Sequence, residues 1–225
     1  MAAAVRWLRL RNVPLLRQLR LEEALFRAPS GAWVVTNIFG SAGYDDEGAG
    51  DTADGPERHV QAIAMGISGK PELLLNEPLV RSRRVPVIRR FTGGGTVVLD
   101  RGSLMVSLIA DHSIQLLYSP PLPPQKTPDL QYILVYPGER PKYRGERAHR
   151  DFLVGLSSAL PSRRYFWEGL ARKLGPAFGT AVEMSPVYAA GNAADEAALG
   201  CVEEGARASS TEPTRVRTRL VDWPL

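Results

Sequence analysis

A single cysteine, Cys201, is all that 225 residues provide, which excludes a disulfide framework and a cysteine-based zinc site and fits a reducing compartment. It lies among small and acidic residues, where it reads as an incidental thiol rather than a nucleophile. Histidine is almost as scarce. His59, His112 and His149 are too scattered for metal-ligand spacing, so no metal site is read from them. No apolar run nears the roughly 20 residues of a bilayer-spanning helix, so no membrane segment is expected. Two common phosphate motifs are also missing. Gly66-Ile67-Ser68-Gly69-Lys70-Pro71 has too few residues between its glycines, and a proline where a P-loop needs Ser or Thr; no G-x-G-x-x-G opens a helix.

What is present is enough for one substantial α/β domain and too little for two ordinary ones. Hydrophobic residues at 44% beside 23% charged residues place the chain among soluble globular proteins. A net charge of +4 admits nucleic-acid binding. The arginines are spread along the chain, however, and no aromatics interleave with them, so no nucleic-acid partner is assigned. A mildly basic face suits an acidic protein partner or a nucleotide equally well.

Met1 to Arg20 holds five arginines and no acidic residue, a composition that invites an organellar-targeting reading. Leu15 to Arg27 already reads as an amphipathic helix, with Pro14 in its first turn. Cytoplasm is therefore the expected location, with mitochondrion or plastid as the alternative. Trp33 to Asn37 reads as a strand. Residues 41–58 hold Gly, Asp, Glu and Ala with almost nothing apolar, the composition of a solvated insertion without fixed structure. Val60 to Ile67 resumes as a strand, and Pro71 to Leu75 as a short helix.

Between Asp111 and Leu130 come Pro120, Pro121, Pro123, Pro124 and Pro128, so residues 111–130 read as an extended junction. Phe152, Leu153, Leu156 and Leu160 share one helical face up to Pro161. Ser162 then opens a second helix, with Phe166, Trp167, Leu170 and Leu174 in line and Gly175 just past its end. From Pro176 to Ser210 small and acidic residues predict a low-complexity tail that adds nothing to the core. Thr214 to Val221 reads as a last strand.

The centre of the chain is Arg89-Arg90-Phe91-Thr92-Gly93-Gly94-Gly95-Thr96-Val97-Val98-Leu99-Asp100. Val85, Val87 and Ile88 lead into it; Thr96 to Leu99 and Leu104 to Ile109 leave it as two more strand-like runs. Three glycines between buried strands are costly, because each loses more backbone entropy than any other residue and none has a side chain to pack. Bare backbone in a turn can form a concave anion site, and the adjacent guanidinium groups suit phosphate or carboxylate. This is either a pocket for an acidic ligand or a tight hairpin flanked by solubilising arginines.

The same residues resemble the RRxxGGGxVxxD signature of lipoate-protein ligases in the biotin/lipoate ligase superfamily, in a plant-type branch. Ala62-Ile63-Ala64-Met65-Gly66-Ile67-Ser68-Gly69-Lys70-Pro71 resembles that branch's acyl-pocket strand and loop, and Leu21-Glu22-Glu23-Ala24-Leu25-Phe26-Arg27 its opening helix. The resemblance covers Leu8 to about Ala110 and Tyr132 to about Leu174. It implies a class II biotin/lipoate ligase-like α/β (α+β) fold, a mixed β-sheet flanked by helices, with residues 8–175 as catalytic domain and 176–225 as tail. Leu99 departs from bacterial members, which often carry histidine there.

The activity implied is two-step: ATP with Mg2+ and lipoate, or octanoate, give an acyl-adenylate. The acyl group then passes to a lysine on a lipoyl carrier domain of a 2-oxoacid dehydrogenase or of the glycine-cleavage H protein, with the ligase a monomer. By resemblance the binding residues are Arg89, Arg90, Thr92, Gly93, Gly94, Gly95 and Thr96, with Arg90 at a phosphate, Met65 and Gly66 shaping the acyl tunnel, and Asp100 orienting the turn or touching ligand. After Ala110 the family carries further strands, a helix and a lysine; nothing here matches them, so no catalytic residue is assigned. Lys70, Lys126 and Lys142 all lie away from that lysine's motif. The alternative is a non-catalytic protein that binds an acyl or nucleotide ligand, or a carrier domain.

Overall fold

A computed structural model describes residues 4–28, 31–40, 60–100, 103–110, 129–135, 163–210 and 217–221. Strand β1, Val5–Arg11, buries Val5, Trp7, Leu8 and Leu10. With apolar residues on both faces it belongs in a sheet interior. There it runs parallel to β2, Ala32–Ile38, on one side and to β8, Val182–Ala189, on the other. Antiparallel β6, Leu104–Ala110, pairs with β2, and β7, Asp129–Val135, completes the order β7-β6-β2-β1-β8. Pro186 sits in edge strand β8, where a missing N–H costs least. The register shifts beside it, between Trp7 and Arg9, and Arg9 fills the irregularity by donating to the Ser185 carbonyl from Nε (2.9 Å) and Nη2 (2.6 Å).

A second sheet, ordered β5-β3-β4-β9, consists of β3 (Val60–Met65), β4 (Val87–Arg89), β5 (Val97–Asp100) and β9 (Arg219–Leu220). β3 and β4 are parallel; β5 and β9 run antiparallel to them. Alternation along β3 sends Ala62 and Ala64 to one face and Ile63 and Met65 to the other. The second face is covered by Leu75, after α2 (Pro71–Leu74), and by Val80 of α3 (Glu77–Ser82).

Helix α1, Leu15–Arg27, joins the two sheets. Leu15 and Leu19 pack with Ala62, Ala64, Ile88 and Leu99 of the second sheet and with Met105 of the first. Leu21, Ala24 and Leu25 pack with Leu8, Leu10, Val35 and Ile109, and with Leu199 of α5, Ala193–Ala208. At roughly 1.5–3 kcal/mol for each fully buried large side chain, this one helix contributes heavily to both cores. Its stripe also carries polar groups: Gln18 and Glu22 are 0% exposed. The Gln18 amide donates to Glu22 (2.7 Å), Ser107 donates to the same carboxylate oxygen (2.8 Å), and Asn37 donates to Gln18 (2.8 Å).

The sequence reading requires correction in three places. Helix α4, Arg163–Phe178, continues through Gly175 and Pro176; proline's missing N–H leaves only its own turn short of a bond. Residues 182–208 do add to the core: β8 pairs along β1, Leu199 and Ala206 are buried, and Arg17 of α1 is ion-paired to Glu196 and Glu203. The last strand is two residues long, Arg219–Leu220. The expectations for residues 41–58 and 111–128, the helix from Phe152 to Leu160 and the Ser162 cap lie outside the described residues.

Candidate functional site

Parallel β3 and β4 end side by side, each running into a glycine loop, and in an open α/β sheet the crevice beyond the carboxyl ends of parallel strands is where ligands bind. The loops are 66–69 after β3 and 92–96 after β4. Arg90 N–H donates to the Met65 carbonyl (2.9 Å) and Ile67 N–H to the Thr92 carbonyl (2.9 Å), so hydrogen bonding continues from the strands into the loops. At Gly66 an added Cβ would overlap the Gly94 carbonyl oxygen. Only glycine allows the two backbones to approach this closely. Gly94 has φ +95°, and a Cβ there would lie 2.5 Å from Arg90 Nη2.

The two arginines divide the loops between them. Arg89 Nη1 donates to the carbonyls of Ile67 (2.8 Å) and Gly69 (2.6 Å), fixing the first loop. Arg90, 7% exposed, donates from Nε and Nη2 to the Gly93 carbonyl (3.0 and 2.7 Å) and from Nη2 to that of Gly95 (3.1 Å), fixing the second. The sequence reading places Arg90 on a phosphate; the structure places its guanidinium on the loop's own carbonyls. Carbonyl and N–H point opposite ways across a trans peptide. The Gly93 and Gly95 carbonyls face Arg90, so the N–H groups of Gly94 and Thr96 face away from it.

The glycine loop itself is exposed, with open space around a Cβ placed on Gly93. Two hydroxyls in it, Thr92 Oγ1 and Thr96 Oγ1, are buried without a hydrogen-bond partner in the protein, Thr96 at 2% exposure. Met65, 0% exposed, packs beneath Gly69. Asp100 closes β5 opposite Val60; its side chain lies outside what is described. The structure thus gathers Arg89, Arg90, Thr92, Gly93, Gly94, Gly95, Thr96, Met65 and Gly66 around one pair of loops. Among the described residues no group of three or more His, Cys, Asp or Glu side chains comes together.

Residues 57–117 match the lipoyl protein ligase A/B catalytic domain, the span that contains both loops. Over that span the chain is similar to the lipoate-protein ligase family. A relative from Plasmodium falciparum (isolate 3D7), inactive lipoate–protein ligase 2, is 30% identical over 103 residues, 44% of this chain. The chain spans about a quarter of that relative's length, 27%. Lipoate-protein ligase A bound with ATP shares the fold with a TM-score of 0.57, at 13% identity over 94% of this chain and 97% of that one. A bi-partite lipoate protein ligase described with its E2 lipoyl domain, from Thermoplasma acidophilum, gives a TM-score of 0.55 at 11% identity over 96% of this chain and all of the other. At these identities the likeness to the two ligase structures is one of fold. Mixed sheets flanked by helices are what the family resemblance implied.

Sequence reasoning missed Glu23. It is 2% exposed, and its carboxylate accepts from the backbone N–H groups of Arg217 (2.9 Å) and Thr218 (2.9 Å) and from Arg27 Nη2 (3.0 Å). Two adjacent acids in an otherwise apolar and basic helix were the available signal, since a buried carboxylate requires donors.

Proposed function

We propose that this protein is a lipoate-protein ligase of the plant-type branch. In this reading it takes ATP with Mg2+ and lipoate or octanoate at the paired glycine loops, forms the acyl-adenylate, and passes the acyl group to a lysine of a lipoyl carrier domain. The observation that carries the reading is the lock between Gly66 and Gly94 with an arginine behind each loop. It holds bare backbone, turned amides and two unpartnered threonine hydroxyls at the ends of parallel strands. Such a cradle supplies fixed donors for an oxyanion without reorganisation during the reaction. Mg2+ would enter on the nucleotide phosphates, because the described residues offer no carboxylate cluster of their own.

Turnover is reduced in this chain. The family's lysine has no counterpart, since Lys70, Lys126 and Lys142 all lie off its motif. Loss of one preorganised charge-stabilising donor slows a reaction about 10²–10³-fold. That same observation favours the second reading, a non-catalytic protein that binds the acyl or nucleotide ligand, or a carrier domain. Purified protein incubated with ATP, lipoate and a lipoyl domain separates them by mass spectrometry of the carrier. A lipoyl mass gain that requires ATP supports the ligase; ligand binding by calorimetry with no mass gain after prolonged incubation supports the second reading.

A further inference from the structure

Arg219 stands directly opposite Arg89 in the antiparallel pairing of β9 with β4. Residues opposed in this way send their side chains to the same face of the sheet. The next residue on that face agrees: Val221 packs against the cluster containing Met65, Val85 and Val87, the face under the Gly66–Gly69 loop that Arg89 holds. Like charges directly opposite one another across a strand pair are destabilising. Among the described residues the Arg219 side chain is exposed and has no ion-pair or hydrogen-bond partner.

The strand bearing this unfavourable pair is two residues long, lies at a sheet edge, and is nonetheless fastened at both ends. Glu23 takes the N–H groups of Arg217 and Thr218 on one side; Val221 N–H donates to the Val87 carbonyl (2.8 Å) on the other. Two arginines paired across strands beside the glycine loops become favourable neighbours when a multiply charged oxyanion binds near both. A carboxylate carries one negative charge; a phosphate group or pyrophosphate matches two guanidinium groups better.

We infer that Arg219 is a phosphate-binding residue of the glycine-loop site, returned to it from the far end of the chain by Glu23. The inference deepens the proposed function and rests on it. The test uses the full chain and its R219A and R219K variants, titrated calorimetrically with ATP, with sodium pyrophosphate and with lipoate, alongside melting temperatures. R219A is expected to weaken ATP and pyrophosphate about tenfold, leave lipoate unchanged, and melt no lower than the parent when no anion is present; R219K should recover part of the loss. If R219A binds ATP and pyrophosphate as tightly as the parent, the role of Arg219 is overturned while the ligase reading stands. If the parent binds neither ATP nor lipoate, both fall. If R219A loses ATP and lipoate together and melts lower, Arg219 is structural and the inference is overturned.

Discussion

Gly66 lies so close to Gly94 that a single methyl group on the first would overlap the carbonyl oxygen of the second. The obstacle is backbone rather than the end of a flexible side chain, so it cannot swing aside. Gly66→Ala should drive the two loops apart, weaken lipoate and ATP binding at least tenfold, and destabilise the fold by about 1–3 kcal/mol, the usual cost of overpacking. Calorimetry and urea denaturation check this; parental affinity in the variant would show that the loop contact is not needed for binding.

Arg90→Lys keeps the charge and removes the fork. Arg90 contacts two carbonyls, Gly93 and Gly95, through two nitrogens, a pattern that a lysine ammonium does not reproduce. Hydrogen bonds to charged groups contribute roughly 1.5–3 kcal/mol each, and the expected net loss is about 2 kcal/mol by urea denaturation. Parental stability in the variant would show that the loop holds its shape without the guanidinium.

Glu23→Ala should release the C-terminal strand. Three donors lose their acceptor, two of them backbone N–H groups of residues 217 and 218, and unsatisfied buried donors cost about 1–3 kcal/mol each. Limited proteolysis should cut near residue 218 well before the parent is cut, with the rest of the fold retained. Resistance equal to the parent's would place the anchor of β9 elsewhere.

Leu19, fully buried between α1 and the second sheet, tests the joint. Leu19→Ala should cost about 2–5 kcal/mol, measured by urea denaturation. Leu73→Ala, at an exposed position on α2, should stay within about 0.5 kcal/mol of the parent.

Parts of this architecture were legible in the sequence because local pattern and final environment agree. Leu15 to Arg27 reads as a helix and is one; the runs around Ile88, Val98 and Val106 read as strands and are strands. The glycine loop and its two arginines were legible as one unit because three adjacent glycines between strands leave bare backbone that neighbouring donors can fix. What was hidden depended on distant partners. Val5–Arg11 carries three arginines around Trp7 and Leu10 that disguise its apolar character, and only β2 and β8 on either side make it a central strand. Residues 182–208 have few large apolar side chains; Leu199 is buried, and Tyr188 and Val202 pack into the same cluster, because β1 and α1 stand opposite them. Arginine offered no sign that its donors would go to carbonyls of its own loops, since that depends on the path of the backbone.

The pairing of β1 with β8 joins residues 176 apart in the chain, as at Arg9 and Ser185. On a ribosome adding about 5–20 residues per second, the first strand therefore waits roughly 10–35 s for the neighbour on its outer side to be made. Throughout that interval one flank of β1 offers unsatisfied amides and carbonyls to any extended segment nearby. A chaperone that shields strand edges would act on the nascent chain during that wait.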